Sequence, residues 1–315
     1  MTPRKDLLDI ESLTDGEIRH LLEAAVPFKA LFSKSVKKVN DLAGRTVLTL
    51  FYEPSTRTRS SFEIAANRLS ADVTHFQVAT SAVAKGESVL DTVDTLQAMK
   101  TDYIIVRHQA SGIPNLIARH TSASVLNAGD GAHAHPTQAL LDGFTVRETL
   151  GEDLTGKRVV IVGDWLHSRV ARSTAQLFRR MGLQVGVLGP ATLIPRGLPG
   201  WLHPLASWDD LLSWQPEVIY LLRVQLERQQ EQFFPSVGEY HRVYGLTEQR
   251  LRQVRDAGLW VMHPGPVNRG VELTDSVLAY ERSLINRQVE NGIAVRMAAL
   301  AWLRPGTPFR GRLPH

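Results

Sequence analysis

Runs of aliphatic and β-branched residues recur along this chain, most of them followed by a turn and then by apolar positions at helical spacing. Residues 45–51 (Arg-Thr-Val-Leu-Thr-Leu-Phe) read as a buried strand. Phe62, Ala65, Ala66 and Leu69 then recur on one helical face, so the stretch from Phe51 to Glu63 is a strand-to-helix turn. Residues 72–78 alternate like a second strand, in which His75 reads as an ordinary strand residue. A loop of small residues at 79–88 leads into a helix at 88–99. Tyr-Ile-Ile-Val at 103–106 and Ser-Val-Leu-Asn at 124–127 are further strands. Pro136 suits the first position of a helix that Ala139, Leu140, Gly143 and Phe144 continue. Ahead of all of these, residues 1–40 read as helix, with Thr14 and Glu17 forming a capping box and Leu21, Leu22 and Ala25 on one face.

The pattern then restarts. A strand at 159–164 precedes a helix with Val170, Thr174, Leu177, Phe178 and Met181 on one face, and a strand at 184–189 follows. Residues 190–203 are rich in proline and glycine and read as loop. A strand at 217–222 ends in Arg223, and the weakly periodic segment 227–244 reads as a mobile loop over a cleft. The last strand, 259–262, is closed by His-Pro-Gly-Pro-Val-Asn-Arg-Gly at 263–270, and 289–303 is a buried final helix. The fold class expected is α/β, with two consecutive doubly wound parallel-sheet domains split near residues 143–151. The active site is expected in the cleft between them.

Composition narrows the class. A chain of 315 residues with 43% apolar and 22% charged residues suits a soluble two-domain protein. It has no cysteine, which excludes disulfides, thiolate metal sites and cysteine nucleophiles. The N-terminus lacks the apolar core of a signal peptide, and no apolar run approaches the ~20 residues of a membrane span. A cytoplasmic enzyme or binding protein, with no membrane partner, is expected. The net charge of +4 comes without basic runs interleaved with aromatics, which speaks against nucleic acid. The mild excess fits small anionic substrates better than a polymer.

Charge placement supplies the candidate chemistry. Ser55, Thr56, Arg57, Thr58 and Arg59 stand at the start of a helix, where the dipole disfavours cations. Ser55 or Thr56 is expected to cap that helix with its side chain. Glu63 can relieve Arg59 at i,i+4, but no acidic residue follows Arg57 at that spacing. Helix N–H groups, hydroxyls and arginine together make a site for an anion, most simply a phosphate. The plainer alternative is a capped helix with solvated arginines. Arg107 follows a strand and so lands on the same sheet edge, since ligands gather beyond the carboxyl ends of parallel strands. His135 stands at a helix start on that edge, with Gln138 one turn later. His133 and His135 could be a metal pair, but no third ligand is near, and no metal is expected. Arg169 repeats the cation-at-helix-start anomaly, while residues 163–169 do not form G-x-G-x-x-G, so a dinucleotide cofactor is not expected. Lys85, on the small-residue loop, could swing into an anionic site of its own or a neighbouring chain.

These motifs resemble a family. Ser-Thr-Arg-Thr-Arg at 55–59, Lys-Gly-Glu at 85–87, Val-Arg-His at 106–108 and His-Pro-Thr-Gln at 135–138 are similar to the transcarbamoylases. Arg-Val-Gln at 223–225 and the 263–270 loop resemble the aspartate carbamoyltransferase catalytic chains among them. The motifs fall in family order over nearly the whole chain. The resemblance implies transfer of the carbamoyl group of carbamoyl phosphate to L-aspartate, an early step of de novo pyrimidine biosynthesis, without a cofactor. It implies a carbamoyl-phosphate domain of residues 1–143 plus 289–315, the last helix crossing back, and an L-aspartate domain of 144–288. Ser55, Thr56, Arg57, Thr58, Arg107, His135, Gln138 and the backbone of Gly265 and Pro266 would bind carbamoyl phosphate, with Arg57, Thr58, Arg107 and His135 catalytic. Lys85, Arg169, Arg223 and Gln225 would hold L-aspartate. Ser81 and Lys85 would come from a neighbouring subunit, making the active unit a homotrimer. A dihydroorotase or regulatory chain is a possible further partner, the 263–270 loop resembling the dihydroorotase-associated branch.

Ala132-His133-Ala134 and Trp165-Leu166 depart from the family pattern. Two other readings stay open. An ornithine-type carbamoyltransferase shares the first half, but its usual His-Cys-Leu-Pro motif needs a cysteine that this chain lacks. A non-catalytic scaffold partner of a dihydroorotase-like chain would have been favoured by loss of Arg57, Lys85, Arg107 or His135, all of which are present.

Overall fold

The computed structural model describes residues 4–76, 88–224 and 236–306. The chain folds into two compact units, Met1–Phe144 with Glu290–His315, and Thr145–Val289. Each is built on one parallel sheet.

In the first unit the strands are β1 (Thr46–Phe51), β2 (Asp72–Phe76), β3 (Tyr103–His108) and β4 (Ser124–Asp130), in the order β2-β1-β3-β4. The chain passes from β1 to β2 on one side and then to β3 on the other, so the topological switch point lies between β1 and β3. Apolar residues on alternate positions of these strands (Leu48 and Leu50, Ile104 and Val106, Val125) pack with Val93 and Leu96 of the helix Val89–Ala98. Ser88 caps that helix in a reciprocal box with Asp91.

The expected helix over 1–40 is confined to Asp15–Ala30, followed by a short 3-10 turn, Leu31–Ser33. It starts at the Thr14–Glu17 capping box. Before it the chain is held outside any helix, because its polar groups are taken up by β4 and its neighbours. Leu7 N donates to Val125 O at 2.9 Å and Asn127 N to Leu7 O at 2.9 Å. Lys5 is buried, and its Nζ donates to the carbonyls of Ala118 and Thr121 at 2.6 Å each, closing the end of the helix Ile113–His120.

The second unit carries β5 (Arg158–Val162), β6 (Gln184–Leu188), β7 (Leu202–Pro204), β8 (Val218–Leu221) and β9 (Trp260–Met262), in the order β7-β6-β5-β8-β9. Its switch point lies between β5 and β8. The strands are apolar on both faces, as a sheet covered on both sides requires. Val159 and Ile161 pack with Phe178 of the helix Arg169–Arg180, whereas Val160 and Val162 pack with Leu251 and Val254 of the helix Glu248–Asp256.

In three further places the structure corrects the expected elements. The proline-rich loop at 190–203 contains the start of β7, a three-residue edge strand that tolerates Pro204 at its end. The segment 227–244 is not all loop: Ser236 caps a helix, Val237–Tyr244, that buries Tyr240, while residues before Ser236 in that segment lie outside the described ones. The final helix begins earlier than its apolar pattern implies, at Ile285, and runs to Trp302.

Phe178 is fully buried and meets the Tyr220 ring edge-on at 6.4 Å. Phe178→Ala is expected to cost about 3–5 kcal/mol, read by denaturant unfolding. A loss below about 1 kcal/mol would contradict this packing.

Candidate active site

The strand order puts the charged residues of each unit where parallel sheets bind ligands. In the first unit the loops at the switch point are those after β1 and β3. Phe51 and Arg107 are register partners at the ends of these strands, and Tyr52 N donates to Arg107 O at 2.9 Å. The helix Thr56–Arg68 starts immediately beyond, so Ser55, Thr56, Arg57 and Thr58 stand at its start, on the same sheet edge as Arg107. Ser55 is the N-cap residue, yet its side chain makes no capping bond, contrary to expectation. Its φ of −161° and ψ of 77° differ from the β-region geometry of the capped helices. Arg59 is paired with Glu63 at 3.3 Å, as its spacing implies. Arg57 and Thr56 lie exposed on the first turn.

The structure also brings in a residue that spacing did not single out. The Glu53 carboxylate lies 2.7 Å from Arg107 Nε, with both side chains largely buried. The guanidinium is thereby held, and its Nη1 reaches Ala128 O at 3.4 Å. Glu53 follows a different strand from its partner, so no local sequence signal could have paired them.

His135 and Gln138 come from the loop after β4 and the helix Pro136–Leu150. His135 is 4% exposed, and its carbonyl accepts from Gln138 N and Ala139 N, which fixes it at the helix start. The bend before it is tied by Asp130, which is fully buried. Asp130 accepts from Asn127 Nδ2 at 2.7 Å, Gly112 N at 2.7 Å and Ala134 N at 3.1 Å. His133 Nδ1 lies 2.9 Å from Asp130, and this bond holds the imidazole above its ordinary pKa. His133 is thus a strut of the turn. Among the described residues no group of three or more His, Asp or Glu side chains is arranged to hold a metal.

In the second unit the switch-point loops follow β5 and β8. Gly163 follows β5 with φ +129°, and a Cβ there would lie 2.9 Å from the Tyr240 hydroxyl. Trp165, one of the departures from the family pattern, is a core residue whose Nε1 donates to Ile161 O. Asp164 holds His167 N and Nδ1 at 3.1 Å and 3.2 Å. Ser168 caps the next helix by accepting from Ala171 N, and Arg169 opens that helix with 2% exposure. Arg223 follows β8. The next residue, Val224, donates its N–H to Glu272 Oε1 at 2.7 Å, and its carbonyl accepts from Asn268 Nδ2 at 2.9 Å.

Glu272, 2% exposed, also accepts from Asn268 N at 2.7 Å and lies 3.6 Å from His263 Nε2. One carboxylate therefore ties the loop after β8 to the 263–270 loop. In that loop Gly265 N donates to His263 Nδ1 at 2.8 Å, Gly265 has φ +59°, and the Gly265–Pro266 peptide is cis. Burial and the nearby Glu272 and Asp164 carboxylates push the Tyr240 hydroxyl far up in pKa, so it stays protonated. Glu53, Asp164, Tyr240, Asn268 and Glu272 are the residues that reading by sequence missed. Glu53 and Glu272 reach partners remote in sequence, whereas Asp164–His167 and Asn268–Glu272 pair within one turn in loops that no repeating pattern marks. Ser81, Lys85 and Gln225 lie outside the described residues.

Two family patterns match this chain. The carbamoyl-phosphate binding domain of aspartate/ornithine carbamoyltransferases matches residues 5–148, and their Asp/Orn binding domain matches residues 214–303. The chain belongs to the aspartate/ornithine carbamoyltransferase family. The aspartate carbamoyltransferase catalytic subunit of Akkermansia muciniphila is 64% identical over 305 residues, covering 97% of this chain and 98% of its own. That of Endomicrobium trichonymphae is 51% identical over 302 residues, covering 96% of each. Among solved structures, aspartate transcarbamoylase from Trypanosoma cruzi in complex with carbamoyl phosphate and aspartate is similar. Its TM-score is 0.86 at 29% identity, over 96% of this chain and 97% of that one. The fold expected from the sequence, two parallel-sheet α/β domains, is the one found. No helix among the described residues is long and apolar enough to cross a membrane.

The Asp130–His133 bond gives a pH test. The imidazole's pKa is raised by folding, so its contribution is full below about 6.5 and is lost as pH rises through the native value. His133→Gln is therefore expected to destabilise the chain more at pH ~5.5 than at pH ~8.5. Equal losses at both pH values, measured by chemical denaturation, would contradict the assignment.

Proposed function

We propose that this chain transfers the carbamoyl group of carbamoyl phosphate to the amine of L-aspartate, giving N-carbamoyl-L-aspartate and phosphate. The observation that carries this reading is the pair of arginines at the second unit's switch point. Arg169 follows β5 and Arg223 follows β8. L-Aspartate has two carboxylates, and each arginine can take one in a bidentate pair. Ornithine has one carboxylate and a cationic side chain, which two arginines suit poorly. The high identity to aspartate carbamoyltransferase catalytic subunits supports the same acceptor.

The first unit binds carbamoyl phosphate. Ser55, Thr56, Arg57 and Thr58 present hydroxyls, a guanidinium and helix N–H groups to the phosphate, and Arg107 adds a second guanidinium. The uncapped start of the helix Thr56–Arg68 supports this, since a phosphate satisfies donors that Ser55 does not. His135 and Gln138 contact the carbamoyl group, together with the backbone of Gly265 and Pro266. The aspartate amine attacks the carbamoyl carbon, a C–N bond forms, and the C–O bond to phosphate breaks. The departing phosphate takes the proton that the amine loses. His135, Arg107 and Thr58 stabilise the oxygen that becomes negative. Holding both substrates together supplies much of the rate, through effective molarities that reach ~10⁵ M or more.

The reaction is an early step of de novo pyrimidine biosynthesis in the cytoplasm. Gln225 completes the aspartate site, and Ser81 and Lys85 are donated by a neighbouring subunit of a homotrimer.

Assays of carbamoyl-aspartate and citrulline formation, run side by side, test the acceptor. Turnover of ornithine without aspartate would sink the reading. Arg57→Ala is expected to lower kcat/KM on the order of 10²-fold or more with the fold intact. Mixing an Arg57→Ala chain with a Lys85→Ala chain should restore part of the activity, because some shared sites then hold both intact residues. No recovery on mixing would count against a shared site.

A further inference from the structure

Gln138 and Asp142 lie one turn apart on the helix Pro136–Leu150, with Gln138 Nε2 donating to Asp142 Oδ1 at 3.0 Å. Gln138 is 8% exposed and Asp142 fully buried. An ionised carboxylate can only accept, so it dictates which end of the amide faces it. The NH2 end of Gln138 turns to Asp142, so its carbonyl end turns away from that carboxylate.

A cation lies within electrostatic reach of Asp142 in this buried place. Arg296, on the helix Ile285–Trp302, is 4% exposed and feels the charge of Asp142. Burial pushes its guanidinium down to about 10, which still leaves it protonated at neutral pH. Its Nη1 donates to Ser61 Oγ at 2.8 Å, and it lies 4.9 Å over the Phe62 ring. Gly292 makes room for it, since a Cβ there would sit 2.6 Å from Arg296 Nη1. Ser61 and Phe62 belong to the helix Thr56–Arg68, whose first turn carries the proposed phosphate contacts. Arg296 thus links the carboxylate behind Gln138 to the helix that opens with Ser55.

We infer that Asp142 is a positioning residue that makes this site select a carbamoyl group over a carboxylate. It holds the Gln138 carbonyl outward, where that oxygen accepts from the carbamoyl NH2 and repels an anionic oxygen in the same place. The inference rests on the reading of this unit as the carbamoyl-phosphate site.

The test compares ligands that differ only at the end facing Gln138. Phosphonoacetamide carries the amide, phosphonoacetate carries a carboxylate in its place, and inorganic phosphate carries neither. Each is titrated calorimetrically into the full chain. The wild-type chain should prefer phosphonoacetamide to phosphonoacetate. Asp142→Asn frees the Gln138 amide to turn over, so phosphonoacetamide should weaken about tenfold or more, the scale of one unmet buried polar group. Phosphate should change less than about twofold, and the preference for amide over acid should shrink or reverse. Because Asp142→Asn leaves a buried guanidinium without this anion, Asp142→Asn/Arg296→Gln removes both charges and should show the same loss of preference. A purely structural role for Asp142 predicts that all three ligands weaken together, and that result would overturn the inference. So would a wild-type chain that binds phosphonoacetate better than phosphonoacetamide. If amide preference is present but carbamoyl-aspartate is not formed, the reading of the acceptor fails while the selection by Asp142 stands.

Discussion

A parallel sheet cannot be closed by hairpins, and this constraint organises the molecule. Every strand must be followed by a crossover, so all loops that leave the carboxyl ends gather on one edge. Where successive crossovers diverge, a crevice opens between two neighbouring strands. That happens between β1 and β3 in the first unit and between β5 and β8 in the second. Arg57 and Arg107 flank the first switch point, and Arg169 and Arg223 flank the second. The cations are held on rigid elements, and their spacing is set by strand register.

Buried or largely buried carboxylates hold the carboxyl-end loops of each unit in shape. Glu53 holds Arg107, Asp130 ties the turn before His135, Asp142 holds Gln138, and Glu272 joins the loops after β8 and β9. Each is bonded to donors on segments remote in sequence or within a turn of its own. Burying a carboxylate is unfavourable unless its oxygens are met by donors or cations. The same bonds that offset this cost fix the geometry of the binding groups.

The helix starts show a division of labour. Ser88, Ser168, Ser236 and Thr247 cap their helices with side-chain oxygens, whereas Ser55 does not. Local stability is thus given up at the helix start where a phosphate is proposed to sit. Ser55, which looks like a cap in sequence, is not one because its backbone is turned away from cap geometry.

The strand pattern, the restart after residue 158, and the Arg59–Glu63 pair were legible in the sequence, because burial on a parallel sheet and i,i+4 neighbours leave local signatures. So was the collection of arginines at strand ends, which depends only on strand direction. The segment before Thr14 carries no such signature, because Lys5, Asp6 and Leu7 find partners more than 100 residues away, on β4 and the helix Ile113–His120. The short helices Trp208–Ser213 and Glu248–Asp256 and the edge strand β7 escape sequence reading, since few residues give too little periodicity to see. Strand order, and with it the two switch points, was decided by tertiary structure alone. So were the Glu53–Arg107 and Glu272–Val224 contacts and the approach of Arg296 to the charge of Asp142, which arise from strand register and helix packing rather than from any spacing along the chain.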